Sequence, residues 1–243
     1  MSASNSVEFP NFLLILIRHG ETDENNQAII QGQKDTKLNE TGRKQSKSLG
    51  ENFNSTGLTR IYSSDLSRAY DTCSILLSDH SESIITDPLL RERSFGEIEG
   101  RPLKDLIAAA REAGLSTPEY IAKGGESLVD VRKRVIRFLE EKILASVIPD
   151  ERILIVSHGG IIRQMIEFLA EFLPKNMNSP QFDRKKNLIP PNTSVTEFKI
   201  FFCPSKRQIQ SIECMRLHDI EHLDEKTQQN ALNQPQVNAK VAI

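Results

Sequence analysis

The chain has 243 residues and a formal net charge of −2, with 38% hydrophobic and 26% charged residues. That length suits one large domain or two small ones, and that balance supports a sizeable core. The near-neutral charge points away from nucleic acid and from an acidic membrane surface, so any anionic ligand would have to be recruited by local positive charge.

The three cysteines, Cys73, Cys203 and Cys214, are odd in number and widely spaced. That argues against a disulfide framework and suits a reducing compartment. No stretch approaches a membrane span, and the apolar run at 13–17 is too short for a signal peptide and follows no basic segment. The expectation is a cytoplasmic protein with neither a membrane nor a nucleic-acid partner; the oligomeric state is left open.

Residues 1–10 read as a loose tail and 11–223 as one domain, with 94–126 as a lid-like segment. Residues 224–243, rich in Gln, Asn and Lys without an apolar period, read as a disordered tail. In chain order, Leu13-Leu14-Ile15-Leu16-Ile17 is a buried strand running into Arg18-His19-Gly20-Glu21-Thr22. Asn39-Glu40-Thr41-Gly42 opens a helix to about Phe53, and 60–63 is a short strand. A helix at 65–77 places Leu66, Ala69, Cys73 and Leu76 in helical spacing, and 83–85 is a further short strand. A helical stretch at 103–113 precedes Gly114, Pro118 and Gly124-Gly125. Ser127 then caps a long helix to about Val147, with Leu128, Val131, Val135, Phe138 and Leu139 on its apolar face. Residues 152–157 form a second buried strand with a helix at 160–172 after it, and 192–202 and 208–217 pair as antiparallel strands. The alternation predicts an α/β fold, a three-layer sandwich with a mostly parallel sheet covered by helices on both faces.

The second buried strand repeats the layout of the first: Ile153-Leu154-Ile155-Val156 runs into Ser157-His158-Gly159-Gly160. Parallel strands end at one edge, which is where ligands bind in open α/β sheets, so His19 and His158 can face one site. The glycines let backbone approach a ligand, and N–H groups near a helix start suit a phosphate. Ser63-Ser64-Asp65-Leu66-Ser67-Arg68 puts Arg68 early in a helix within reach of that edge, and Leu89-Leu90-Arg91-Glu92-Arg93 sets a carboxylate between two arginines.

With these motifs, and with Gln31-Gly32, Leu38-Asn39-Glu40-Thr41-Gly42 and Gly124-Gly125-Glu126-Ser127 falling between them in order, the chain resembles the histidine phosphatase superfamily, the phosphoglycerate-mutase-like group, from Leu13 to about Leu223. The resemblance implies that His19 is a nucleophile forming a phosphohistidine, and that Arg18, Arg68 and His158 complete a phosphate pocket. It implies that Glu92 is the general acid for the leaving oxygen and then the base for water. It also implies that Asn25, Gln31, Gly32 and Gly159 line the pocket, with no cofactor and no metal. Ile29-Ile30-Gln31-Gly32-Gln33, Leu90-Arg91-Glu92-Arg93-Ser94-Phe95-Gly96 and Asn192-Thr193 are most similar to the TIGAR-type fructose-2,6-bisphosphatases. That likeness implies fructose 2,6-bisphosphate or a bisphosphoglycerate as substrate and a role in glycolysis regulation. Glu24 and Phe95 depart from the family pattern, which often has aromatic residues there, a tyrosine at the second. The consecutive arginines with which mutases clamp a carboxylate are not evident between Arg101 and Glu126, favouring hydrolysis over phosphotransfer. A mutase, or a non-catalytic regulator on the same fold, are the alternatives. His218-Asp219-Ile220-Glu221-His222 has the spacing of a metallopeptidase helix but no third ligand nearby, and reads as a last turn packing Leu217 and Leu223 onto the domain.

Overall fold

The computed structural model describes residues 9–78, 84–173 and 189–234. Strand β1 (Asn11–Arg18) leads into a short helix α1 (Asp23–Asn26) and then α2 (Glu40–Asn52). Next come β2 (Arg60–Ser63), α3 (Ser67–Leu76), β3 (Ile84–Thr86), α4 (Leu103–Glu112) and α5 (Leu128–Phe138). The chain closes with β4 (Arg152–Ser157), α6 (Gly159–Leu169), β5 (Val195–Cys203), β6 (Gln208–Asp219) and α7 (Glu225–Asn233).

The strands form one sheet in the order β3-β2-β4-β1-β5-β6. The first four in sequence run parallel, β5 is antiparallel to β1, and β6 is antiparallel to β5. Side chains alternate across a strand, and here both faces are apolar because both are covered. Leu14 and Leu16 of β1 join Ile153 and Ile155 of β4 in packing on Val135 of α5 and Met165 of α6. Their neighbours Ile15, Ile17, Leu154 and Val156 pack on Leu49 of α2 and Cys73 of α3 on the other face. Each fully buried Leu or Ile contributes about 1.5–3 kcal/mol relative to exposure, so this central pair anchors the domain.

The chain leaves β1 toward one face and leaves β4 toward the opposite one. These strands are neighbours, with Arg18 opposite Ser157. Their diverging exits open a crevice at the carboxyl edge, the place where such sheets bind ligands. A smaller cluster of Ile30, Phe95, Ile98, Leu106 and Ala122 packs the 94–126 segment beside that crevice.

The structure departs from the sequence reading in several places. The helix expected to reach Val147 is α-helical only to Phe138 and continues as a π-helical stretch, Leu139–Leu144. The wider turn re-phases the apolar stripe, so that Leu139, Ile143 and Leu144 are all buried. The strand expected at 83–85 is Ile84–Thr86, and residue 83 lies outside the described residues. The tail expected to end at residue 10 already pairs there: the Pro10 carbonyl accepts from the Phe202 N–H.

The larger correction concerns 224–243. Rather than disorder, 225–233 form α7, capped by the Asp224 side chain accepting from the Thr227 N–H. Ala231 is buried, and Gln234 donates to Glu21 Oε2 at 2.7 Å. A polar sequence with no stripe of its own is ordered here by a buried acceptor elsewhere in the chain. Residues 235–243 lie outside the described residues.

Candidate active site

Backbone contacts at the edge of the two central strands set the position of His19. Its N–H donates to the Ser157 carbonyl at 2.9 Å, and its carbonyl accepts from Asn192 Nδ2 at 2.8 Å. The next residue, Gly20, donates to Thr72 Oγ1 at 2.9 Å. The ring is buried, with Nδ1 at 2.7 Å from the Gly20 carbonyl. A carbonyl only accepts, so Nδ1 carries the proton and Nε2 keeps its lone pair. Burial, with the Arg68 and Arg18 charges nearby, holds this imidazole well below its ordinary 6.5. The arrangement yields a neutral, oriented imidazole with a free Nε2 lone pair.

Two buried arginines flank the ring. Arg18 donates from Nη1 to the Pro190 carbonyl at 2.7 Å. Arg68, the second residue of α3, donates from Nη2 to the Gly32 carbonyl at 2.8 Å and from Nη1 to the Lys34 carbonyl at 2.9 Å. Burial lowers both guanidiniums to about 10, opposed by the Glu92 carboxylate, so both remain cationic at neutral pH. The buried Arg68 Nε has no hydrogen-bond partner among the described residues.

His158 packs against His19 with ring centroids 5.2 Å apart. Its Nε2 lies 2.8 Å from Ser64 Oγ, which itself accepts from the Leu66 N–H at 3.3 Å. The Nδ1 of His158 is buried and has no hydrogen-bond partner among the described residues. Burial and the Arg68 charge keep this ring neutral as well.

Glu92 faces the histidines across the crevice. Its Oε1 accepts from the Arg93 N–H at 2.8 Å and its Oε2 from the Gly160 N–H, in the first turn of α6, at 2.9 Å. Arg18, His19, Asn25, Gln31, Gly32, Arg68, Glu92 and Gly159 all line one pocket, about 540 Å3 with its open mouth included. Asn25 Oδ1 is taken by the Thr22 N–H at 3.1 Å and Gln31 Oε1 by Thr36 Oγ1 at 2.6 Å, which leaves each amide nitrogen as the donor available to a ligand. Glycine is required at two of these positions. Gly32 has φ +54, and a Cβ there would strike Glu99. A Cβ on Gly159 would strike Ile189 and come within 3.5 Å of Arg18 Nε. All nine residues singled out in the sequence are thus brought together, eight on the pocket wall and His158 behind His19.

The sequence reading missed the frame around them. Arg134 of α5 donates to the carbonyls of Leu89, Arg91 and Glu92, and pairs with both oxygens of Glu126. Arg93 donates to the carbonyls of Glu126, Pro118 and Tyr120, tying the 94–126 segment to the Glu92 loop. Glu99 Oε1 accepts from the N–H groups of Gln33 and Phe95. The Glu126 beside Gly124-Gly125 was the one available sign. The other partners are backbone carbonyls and N–H groups, which no sequence pattern marks. The His218 and His222 pair falls at the end of β6 and in the turn after it, where the rings meet Thr196 at 3.2 Å and Thr193 at 3.0 Å.

An α/β sandwich with two histidines, two arginines and a carboxylate at its strand edge defines a protein built for phosphate ester chemistry. Residues 14–210 match the histidine phosphatase superfamily (branch 1), and the chain belongs to that superfamily. It is 31% identical over 261 residues to the fructose-2,6-bisphosphatase TIGAR of Xenopus tropicalis, covering 85% of this chain and 94% of that one. Among solved structures it is similar to a mycobacterial hydrolase, with a TM-score of 0.72, 28% identity, and 92% and 97% of the two chains covered. It is also similar to a mycobacterial glucosyl-3-phosphoglycerate phosphatase, with a TM-score of 0.66, 30% identity, and 85% and 98% covered.

Proposed function

We propose that this chain hydrolyses a small phosphorylated metabolite through a phosphohistidine on His19, with its own side chains carrying the chemistry. The observation that supports this most directly is the His19 Nδ1 contact with the Gly20 carbonyl, which leaves Nε2 unprotonated between two arginines.

In the first step Nε2 attacks phosphorus and the ester P–O bond breaks. Phosphoryl transfer depends on positioning and charge stabilisation more than on covalent activation. Arg18 and Arg68 supply the charge, Arg68 Nε supplies a further donor, His158 backs the His19 ring, and the amides of Asn25 and Gln31 hold equatorial oxygens. Glu92 delivers a proton to the leaving oxygen. Each of its oxygens accepts one backbone N–H and retains a lone pair for that proton. In the second step Glu92 takes a proton from water, the water oxygen attacks phosphorus, and the P–N bond breaks to release phosphate and neutral His19.

Phe95 and Leu103, from the 94–126 segment, form part of the pocket wall, which supports the reading of that segment as a lid that shapes the site. The described cysteines are free thiols, consistent with the cytoplasmic compartment that we infer. Fructose 2,6-bisphosphate, the substrate in the names of the TIGAR relatives, belongs in the first assay panel beside simple monophosphates.

The test is acid-labile labelling by radioactive substrate together with phosphate release. His19→Ala should abolish both. Glu92→Gln should slow turnover by on the order of 100-fold, as for loss of a general acid, while labelling persists. Labelling of the His19→Ala chain would refute the nucleophile assignment. Recovery of the phosphoryl group on carbon instead of in solution would make the chain a mutase.

A further inference from the structure

The pocket wall carries two kinds of surface. Arg18, His19, Arg68 and Glu92 line it with polar chemistry, while Ala28, Ile29, Phe95, Leu103 and Ile189 are apolar, and one further charged group, Glu24, lines it too. Arg18 and Arg68 are the sole cations among the described lining residues. In the phosphatase reading both serve the phosphoryl group at His19, whose two negative charges they balance.

Glu24 is half-buried and sits in α1, which a reciprocal cap between Thr22 and Asn25 holds in place. Its own carbonyl accepts from the Ile29 N–H at 2.9 Å, fixing the turn that presents Ala28 and Ile29 to the same wall. Its carboxylate has neither a hydrogen bond nor an ion pair with any described residue. Its negative charge reaches the Arg68 guanidinium. A carboxylate without a hydrogen-bond partner, on the same pocket wall as apolar side chains and two arginines, has clear consequences. It repels a second phosphate, it accepts hydrogen bonds from hydroxyl or ammonium groups, and it leaves the carbon skeleton to the apolar wall.

We propose that Glu24 is a specificity residue that selects phosphate monoesters whose leaving alcohol carries a hydrogen-bond donor and no second phosphate. This rests on the phosphatase reading above. Arg18, His19 and Arg68 take the phosphoryl group, Glu24 accepts from a hydroxyl or ammonium on the alcohol, and Phe95 and Leu103 cover its carbon face.

The experiment compares substrates in pairs, using the full chain and Glu24→Gln. One pair is fructose 6-phosphate and fructose 2,6-bisphosphate; the other is phosphoethanolamine and glycol monophosphate. The wild-type chain should favour the monophosphate of the first pair in kcat/KM. Removing one like charge a few ångströms from the second phosphate should lower that preference by on the order of tenfold. In the second pair, the ratio of the ammonium to the hydroxyl substrate should fall by about as much. Both changes should shrink in high salt, which a purely structural defect would not do. A wild-type chain that prefers the bisphosphate, with a ratio unmoved by Glu24→Gln, would overturn the proposal and place the second phosphate's cations outside the described residues. Failure to form a phosphohistidine from any of the four substrates would instead refute the phosphatase reading itself.

Discussion

Replacing Arg134 by alanine removes the clamp behind Glu92 without touching the pocket wall. The Arg134 side chain is 13% exposed and its Glu126 partner 22%. Its guanidinium donates to Leu89 O at 2.8 Å, Arg91 O at 2.6 Å and Glu92 O at 3.0 Å, and meets the Glu126 oxygens at 2.8 and 2.9 Å. The substitution strands the Leu89 and Arg91 carbonyls and a mostly buried carboxylate, while the Glu92 carbonyl keeps Gln33 Nε2 at 3.2 Å. Breaking a buried pair by removing one partner costs about 3–5 kcal/mol. Glu126 keeps the Ser94 N–H at 2.8 Å and some contact with water, so the lower end applies, about 3 kcal/mol. For a chain of this length each kcal/mol moves the midpoint by roughly 2–4 °C, so Tm should fall by about 6–12 °C. The Glu92 loop also loses its anchor, and a misplacement of about 1 Å costs up to about 100-fold in rate. Thermal unfolding followed by circular dichroism reads the first effect, and quenched-flow measurement of phosphoenzyme formation and decay reads the second. Arg134→Lys restores the charge but not the planar fork, so it should recover part of the stability and little of kcat. An Arg134→Ala chain with Tm within about 2 °C and kcat within about twofold of wild type would refute the clamp.

Two further outcomes follow from the same contacts. Because His19 is held well below 6.5 by burial and by Arg68 and Arg18, it stays neutral as pH falls through that value. A free imidazole is only about 10% neutral at pH 5.5, yet kcat/KM corrected for substrate ionisation should keep more than half its neutral-pH value there. An acid limb at 6.5 would contradict the environment described. The unfolded chain takes up these protons below 6.5 and the folded chain does not. Stability is therefore intact above 6.5 and declines as pH falls below it, for His158 as for His19, which urea midpoints between pH 7.5 and pH 5 would measure. Ending the chain after Leu223 removes α7 and the Gln234 donor to Glu21, a buried carboxylate otherwise served by Asn26 and Asn39. Stability should fall by about 1–3 kcal/mol, with Gln234→Ala reproducing much of the loss; an unchanged unfolding midpoint in the shortened chain would show that the tail does not latch the catalytic loop.

The pocket was readable because its chemistry sits where strands end. A buried strand shows as a continuous apolar run, and β1 and β4 each stop at Arg18-His19-Gly20 and Ser157-His158-Gly159, so the edge and its side chains appear together in the sequence. Arg68 was readable for a similar reason, coming directly after β2 at the start of α3. Arg134 was not. It stands mid-helix among Arg132, Lys133 and Arg137, and nothing local separates the arginine that turns inward from those that meet solvent.

Local pattern and motif order by themselves determined the α/β class, the two central strands, the paired histidines and the family. These depend on periodicity and on residues adjacent in the chain. Tertiary structure alone decided the order β3-β2-β4-β1-β5-β6, the protonated nitrogen of His19, and the frame that holds Glu92. It also decided the docking of Gln234 on Glu21, 213 residues away. The physical reason is common to all of these. A hydrogen bond depends on which donor and acceptor meet in space, and most of the partners here are backbone groups that every residue carries. Glu24 shows the same division: its identity is plain in the sequence, but its place on a pocket wall with apolar side chains, without a hydrogen-bond partner among the described residues, exists only once the chain has folded.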